Sequence, residues 1–188
     1  MRFFALCFCA LLGFSAPLAA NPAVWTVDVV RSSVSFEYVE SGKTKTGAFK
    51  AFRASINFDQ DMPQNASASF SVETASIDLN DAMREGVLAT VPWFDSERFP
   101  RADFSLTRLR PSSSGKYIAE GVLKIKKVEL PVQLTINLSM SERNARAKGV
   151  LEIDRNDFRL RDAVLESIVG IGQKVTIRFD LVATLDRE

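Results

Sequence analysis

Apolar and polar residues alternate along much of this chain. Val34, Phe36 and Tyr38 are interleaved with Ser33, Ser35 and Glu37, and Phe70 and Val72 with Ser69, Ser71 and Glu73. Val132, Leu134, Ile136 and Leu138 alternate with Gln133, Thr135, Asn137 and Ser139; Val175, Ile177, Phe179 and Leu181 alternate with Thr176, Arg178 and Asp180. A period of two puts one set of side chains on one face of an extended backbone, so each run predicts a half-buried strand. Further strands are expected over 45–59, 116–127 and 145–154. Turn-forming stretches separate them: Glu40-Ser41-Gly42-Lys43, Asp61-Met62-Pro63-Gln64-Asn65, the polar loop Pro111-Ser112-Ser113-Ser114-Gly115, and Ser141-Glu142-Arg143-Asn144. Most connections are short, so neighbouring strands should pair as antiparallel hairpins.

One stretch lacks alternation. In 77–88, Leu79, Met83 and Val87 fall at helical spacing, and Asp78 or Asn80 is placed to cap a short helix weakened by Gly86. A second helix can follow Asp157. The fold class is therefore all-β with one or two short helices. About eight long antiparallel strands leave two exposed edges unless the sheet closes, and a barrel of that size is filled by side chains or holds one small ligand.

Charge and composition narrow the function. The 188 residues carry 24 Lys+Arg and 23 Asp+Glu, a net charge of +1, with no field aimed at nucleic acid. Histidine is absent, which removes Ser-His-Asp and Cys-His catalysis and imidazole metal sites. No catalytic residue, cofactor or metal site is expected. Both cysteines, Cys7 and Cys9, lie in the first ten residues. There Met1-Arg2 precedes an apolar run from Phe3 to Leu12 and the small-residue end Ala16-Pro17-Leu18-Ala19-Ala20, the layout of a secretory signal peptide. Residues 1–20 are read as that leader and 21–188 as one cysteine-free domain in an exported compartment.

The remaining motifs are weak. Gly170-Ile171-Gly172 precedes a strand and reads as a hairpin turn, not as half of a dinucleotide fingerprint. Asp59-Gln60-Asp61 lacks the rest of a calcium loop. Asp154, Asp157 and Asp162, interleaved with Arg155, Arg159 and Arg161, read as a surface ion-pair cluster, with an anionic head-group site at a barrel mouth as the sharper alternative. Lys124 and Lys126 should face solvent. The segment from Val91 to Pro100 packs two prolines and three aromatics into ten residues, which suits either a filled core or an apolar cavity.

That segment also carries a resemblance. Trp93-Phe94-Asp95 followed by Phe99-Pro100-Arg101-Ala102-Asp103-Phe104 is similar to a signature of the YceI-like family. Four further blocks follow the family's order: Asp28 with Ser32-Ser33-Val34-Ser35-Phe36; Gly47-Ala48-Phe49 with Ile56-Asn57-Phe58-Asp59; Glu120 to Val128 with Pro131-Val132; and Arg155-Asn156-Asp157-Phe158. The resemblance spans about 25–185. It departs at Arg31 and Lys127, where the family often has histidine and glycine. It implies a lipocalin-like antiparallel barrel that holds a long apolar molecule such as a polyisoprenoid, in a protein exported to the periplasm.

On this reading the wall residues are Phe36, Tyr38, Phe49, Phe58, Phe70, Val72, Phe104, Leu106, Leu134, Ile136, Ile177 and Phe179, while Leu79, Met83, Val87, Trp93 and Phe94 close or gate one end. The expected partner is a long-chain isoprenoid or other lipid. A membrane protein partner and a homodimer stay open. The alternative is an accessory protein of a membrane redox or stress system, which an exposed apolar patch at Trp93-Phe94 would favour.

Overall fold

The alternating runs become strands in the computed structural model, which describes residues 23–113 and 115–186. The expected leader, 1–20, with Cys7 and Cys9, lies outside the described residues. In chain order the strands are β1 (Val24–Val27), β2 (Ser33–Glu40), β3 (Lys43–Phe49), β4 (Phe52–Asn57), β5 (Ser67–Glu73), β6 (Ile77–Asp78), β7 (Arg101–Ser113), β8 (Lys116–Ile125), β9 (Val128–Met140), β10 (Asn144–Asp154) and β11 (Ile171–Leu185). Two helices interrupt them: α1 (Ala82–Leu88) and α2 (Ala163–Val169).

Every strand pairing is antiparallel, in the order β1-β4-β5-β7-β8-β9-β10-β11. β1 then returns to pair with β11, Trp25 lying opposite both Ile56 of β4 and Leu185 of β11. That double pairing closes an eight-stranded barrel, which removes the open edges. β2 continues along the same edge of β11 that β1 occupies, and β3 and then β6 extend the sheet beyond it. β1 with β2, and β3 with β4, thus behave as two long strands, each interrupted by a bend.

The bends have local causes. Between β1 and β2 the Asp28 carboxylate accepts from the backbone N–H groups of Val30 and Arg31 at 3.0 and 3.1 Å, an aspartate turn that competes with the ladder. Between β3 and β4, Lys50 N–H donates to the Ser76 carbonyl and Ala51 N–H to Ser76 Oγ. These amides leave the sheet, so the single strand expected over 45–59 is two. The polar loop expected over 111–115 is shorter than that, because β7 runs on through Ser113. Pro111 is tolerated because the β7–β8 register slips between Pro111 and Ser113.

The first helix is also shorter than the 77–88 expectation. Ile77 and Asp78 pair with β3, and the cap is Asp81, whose side chain accepts from Arg84 N–H. Glu85 reaches back to the N–H groups of Leu79 and Asp81 at 2.8 and 3.3 Å, so the two acids bind the orphan amides reciprocally. α2, the helix allowed after Asp157, is capped by Asp162, which accepts from Val164 and Leu165. Its C-terminal cap is Gly170 at φ 63°, a left-handed position that suits glycine. Gly170-Ile171-Gly172 is therefore a helix-to-strand junction and not a hairpin turn.

Two buried clusters sit toward opposite ends of the strands. One gathers Val34, Val72, Trp93, Ile125, Ile153, Phe158 and Leu160; the other gathers Trp25, Phe58, Tyr117 and Ala183.

Candidate functional site: an apolar cavity inside the barrel

The inward faces of the strands are mostly apolar, with Glu40 and the lysines of the β2–β3 hairpin as polar exceptions at one end, and the side chains from opposite walls leave a gap. Between them lies a cavity of about 500 Å³, within the range of small-ligand sites. At one end Trp25 Nε1 donates to the Phe58 carbonyl at 3.0 Å, and Phe58 and Tyr117 pack edge to face with ring centroids 5.7 Å apart. Beside α1 the cavity reaches solvent, because Met83 borders it and is 81% exposed.

Small residues make the room. The cavity face of β8 carries Tyr117, Ala119, Gly121, Leu123 and Ile125; that of β10 carries Ala145, Ala147, Gly149, Leu151 and Ile153. Three glycines each hold a phenylalanine ring against the wall. A β-carbon on Gly47 would overlap Phe36, one on Gly121 would overlap Phe104, and one on Gly149 would overlap Phe179. Rings laid flat over glycine fill the wall and leave the lumen open.

All the wall residues expected from the sequence border this space: Phe36, Tyr38, Phe49, Phe58, Phe70, Val72, Phe104, Leu106, Leu134, Ile136, Ile177 and Phe179. Leu79, Met83, Val87, Trp93 and Phe94 border it too, but in unlike ways. Met83 and Val87 stand at the rim in solvent, while Trp93 is only 3% exposed and belongs to the packed end. Phe94 is partly buried against that packed end, its ring edge-on to Phe49. Trp93 and Phe94 therefore form no exposed patch, and the observation that would have favoured the accessory-protein alternative is not made there.

Other lining residues escaped the sequence reading, among them Trp25, Leu109, Tyr117, Leu123, Leu151 and Leu165. The alternation over 116–125 carries the signal for Tyr117 and Leu123. Leu109 had none, because simple alternation from Leu106 leads to Arg108. A register slip between Leu106 and Arg108 reverses the parity and turns Leu109 inward.

The charged groups at the cavity are neutralised in pairs. Glu40, buried at the end of β2, is bonded by Arg84 of α1. Burial, followed by the nearby Glu40 charge, pushes the Tyr38 phenol up. Arg155, expected on the surface, is instead 4% exposed. Its guanidinium donates to the carbonyls of Gly172, Leu160 and Ile171 at 2.8, 2.7 and 3.0 Å and to Glu166 Oε1 at 2.8 Å. It also lies over the Trp93 ring, 5.3 Å from the centroid. These donors serve the protein itself, so Arg155 ties α2, the 155–160 turn and β11 together rather than holding a head group. Lys124 is half exposed and pairs with Glu129, whereas Lys126 donates to the Val91 carbonyl at 2.9 Å. No group of three or more metal-ligating side chains occurs among the described residues.

A closed antiparallel barrel around an apolar hollow defines a lipocalin-like class. Within it the chain belongs to the YceI-like family, whose domain matches residues 25–183. A UPF0312 protein of Photorhabdus laumondii is 30% identical over 131 residues, which are 68% of this chain and 66% of that protein. A UPF0312 protein of Shewanella baltica is 27% identical over 132 residues, 68% of this chain and 69% of its own. Among solved structures, BcnA of Burkholderia cenocepacia superposes with a TM-score of 0.79 at 30% identity, covering 83% of this chain and 98% of BcnA. A polyisoprenoid binding domain from Saccharophagus degradans, implicated in plant cell wall breakdown, gives 0.70 at 15% identity over 87% of this chain and 99% of that one. At that identity the likeness is one of fold.

Proposed function

We propose that the protein is an exported carrier that shields one long apolar molecule, a polyisoprenoid or fatty-chain lipid, inside its barrel. The observation that carries this reading is the continuous void of about 500 Å³ lined almost wholly by hydrocarbon and aromatic side chains. Each methylene moved from water into such a lining contributes ~0.8 kcal/mol. Ten contribute roughly 8 kcal/mol against an association cost of ~4–15 kcal/mol. A short chain therefore binds poorly and a long one can bind tightly. The residues assigned to the ligand are the wall and rim positions named above, with Phe36, Phe104 and Phe179 as its flat aromatic floor. Release from water is the whole task, so the reading needs no catalytic group, cofactor or metal.

The polyisoprenoid binding domain among the fold's neighbours supports a lipid-type cargo. The leader-like first twenty residues support export, with the periplasm as the compartment. Mass spectrometry of an organic extract of the protein as isolated tests the cargo: a long-chain lipid near one per barrel is expected, and an extract holding none overturns the reading. Cell fractionation with determination of the mature N-terminus tests export, with a start near residue 21 in the periplasmic fraction expected.

A further inference from the structure

The rim beside the cavity opening is built in an unusual way for a surface in water. α2 turns Leu165 and Val169 toward the cavity, and its adjoining face presents Val164 and Ile168, 70% and 75% exposed. On α1, Met83 and Val87 stand in solvent one turn apart. The two helices share one end of the barrel. Arg84 of α1 bonds Glu40 at the tip of β2, and Ser41 in the next turn donates its N–H to the Gly170 carbonyl and its Oγ to the Val169 carbonyl at the end of α2.

The charges on this end are arranged asymmetrically. Its acids are engaged: Glu40 and Asp81 with Arg84, Glu85 with two backbone amides, Asp162 with the first amides of α2, Glu166 with Arg155. The hairpin tip carries Lys43 opposite Glu40 and Lys45 opposite Tyr38, so both lysines project on the cavity side of the sheet. Both are exposed. Lys50, Lys124, Lys148 and Lys174 each have a carboxylate partner; Lys43 and Lys45 have none among the described residues, nor do Lys116, Lys126 and Lys127 at the two ends of β8.

We propose that this end docks on an anionic phospholipid bilayer, with the exposed side chains of α1 and α2 dipping into the acyl region and Lys43 and Lys45 on the phosphates. Separate apolar prongs beside two unpaired ammonium groups match the way an interfacial segment binds lipid. A protein partner would need a shape complementary to two spaced helices, which a fluid surface supplies without design. The purpose rests on the lipid-carrier reading: a mouth pressed on a bilayer lets a water-insoluble chain pass between lipid and barrel without crossing water. The geometry does not depend on that reading.

Flotation of the protein as isolated with vesicles of phosphatidylcholine, with or without phosphatidylglycerol, tests it. Binding to the mixed vesicles that weakens with salt is expected. The K43Q/K45Q variant should lose roughly tenfold or more in binding to the mixed vesicles and little to the neutral ones. The V164Q/I168Q variant should lose binding to both while keeping its co-purifying lipid, since neither side chain borders the cavity. Absence of the wild-type protein from the floating fraction overturns the proposal, as do variants that float like the wild type. A dimer that V164Q/I168Q dissociates, with no vesicle binding, also overturns it and gives the face to a second copy of the chain. Vesicle binding by a protein that yields no lipid on extraction keeps the docking surface and sinks the cargo reading alone.

Discussion

Gly149 of β10 lies directly opposite Phe179 of β11, and the Phe179 ring occupies the place a side chain on residue 149 would take. Neither residue is informative by itself. Together they keep a large ring out of the lumen, and the Phe36–Gly47 and Phe104–Gly121 contacts repeat the device on two other walls. The hollow is thus a property of pairs across strands.

Gly149→Ala should push Phe179 off the wall and into the cavity. The expected outcome is a loss of about 1–3 kcal/mol in stability, the usual cost of overpacking, with less lipid recovered per barrel. Denaturant melts and quantitative lipid extraction read the two effects separately.

Ala147→Phe addresses the lumen from the same strand without disturbing a glycine contact. Ala147 borders the cavity between Leu138 and Leu181, so a ring there projects into open space. The barrel should fold with stability near that of the wild type, and the lipid stoichiometry should fall by more than half. Far-ultraviolet circular dichroism and mass spectrometry on the same sample check it.

Arg155→Leu should be among the most destabilising single changes in the chain. It leaves Glu166 without its closest cation and strips donors from the Gly172, Leu160 and Ile171 carbonyls. Breaking a buried charge pair in this way costs ~3–5 kcal/mol. Arg155→Lys should recover only part of it, because an ammonium cannot supply the planar fork. Urea midpoints give the size, and hydrogen exchange should show α2 losing protection first.

Stability should fall on the acid side of the carboxylate range. The Arg146 guanidinium, helped by Lys148, holds the Asp180 carboxyl below its ordinary value of 3.8, and Arg178, Lys50 and Arg31 do the same for Glu37, Asp78 and Asp28. A carboxylate with a depressed folded pKa contributes fully above its unfolded value, and that contribution drains as pH drops through the folded one. Asp180→Asn should remove roughly 1 kcal/mol at neutral pH and flatten part of the acid slope. Thermal melts across that pH range test the sign. A decline toward alkaline pH instead would contradict it.

Much of the barrel was legible because strand periodicity is local. The runs at Val34–Tyr38, Phe70–Val72, Val132–Leu138 and Val175–Leu181 each state which face is buried, and every apolar member of them except Val132, which packs against the buried cluster, borders the cavity. The misreadings arose where a distant group intervened. Ser76 takes the amides of Lys50 and Ala51 and splits a strand, the slip after Leu106 reverses a parity, and Glu166 with three carbonyls draws Arg155 out of a charged surface stretch into the interior.

By itself the order of residues determined the antiparallel strands, most of their buried faces, a short helix within 77–88 and the kinship of the domain. Only the tertiary structure decided that β1 bridges β4 and β11 to close the ring, and that the ring stays hollow. The physical reason is one of range. A side chain's face follows from its immediate neighbours, whereas the empty volume is a difference between large and small residues brought together from strands far apart in the chain.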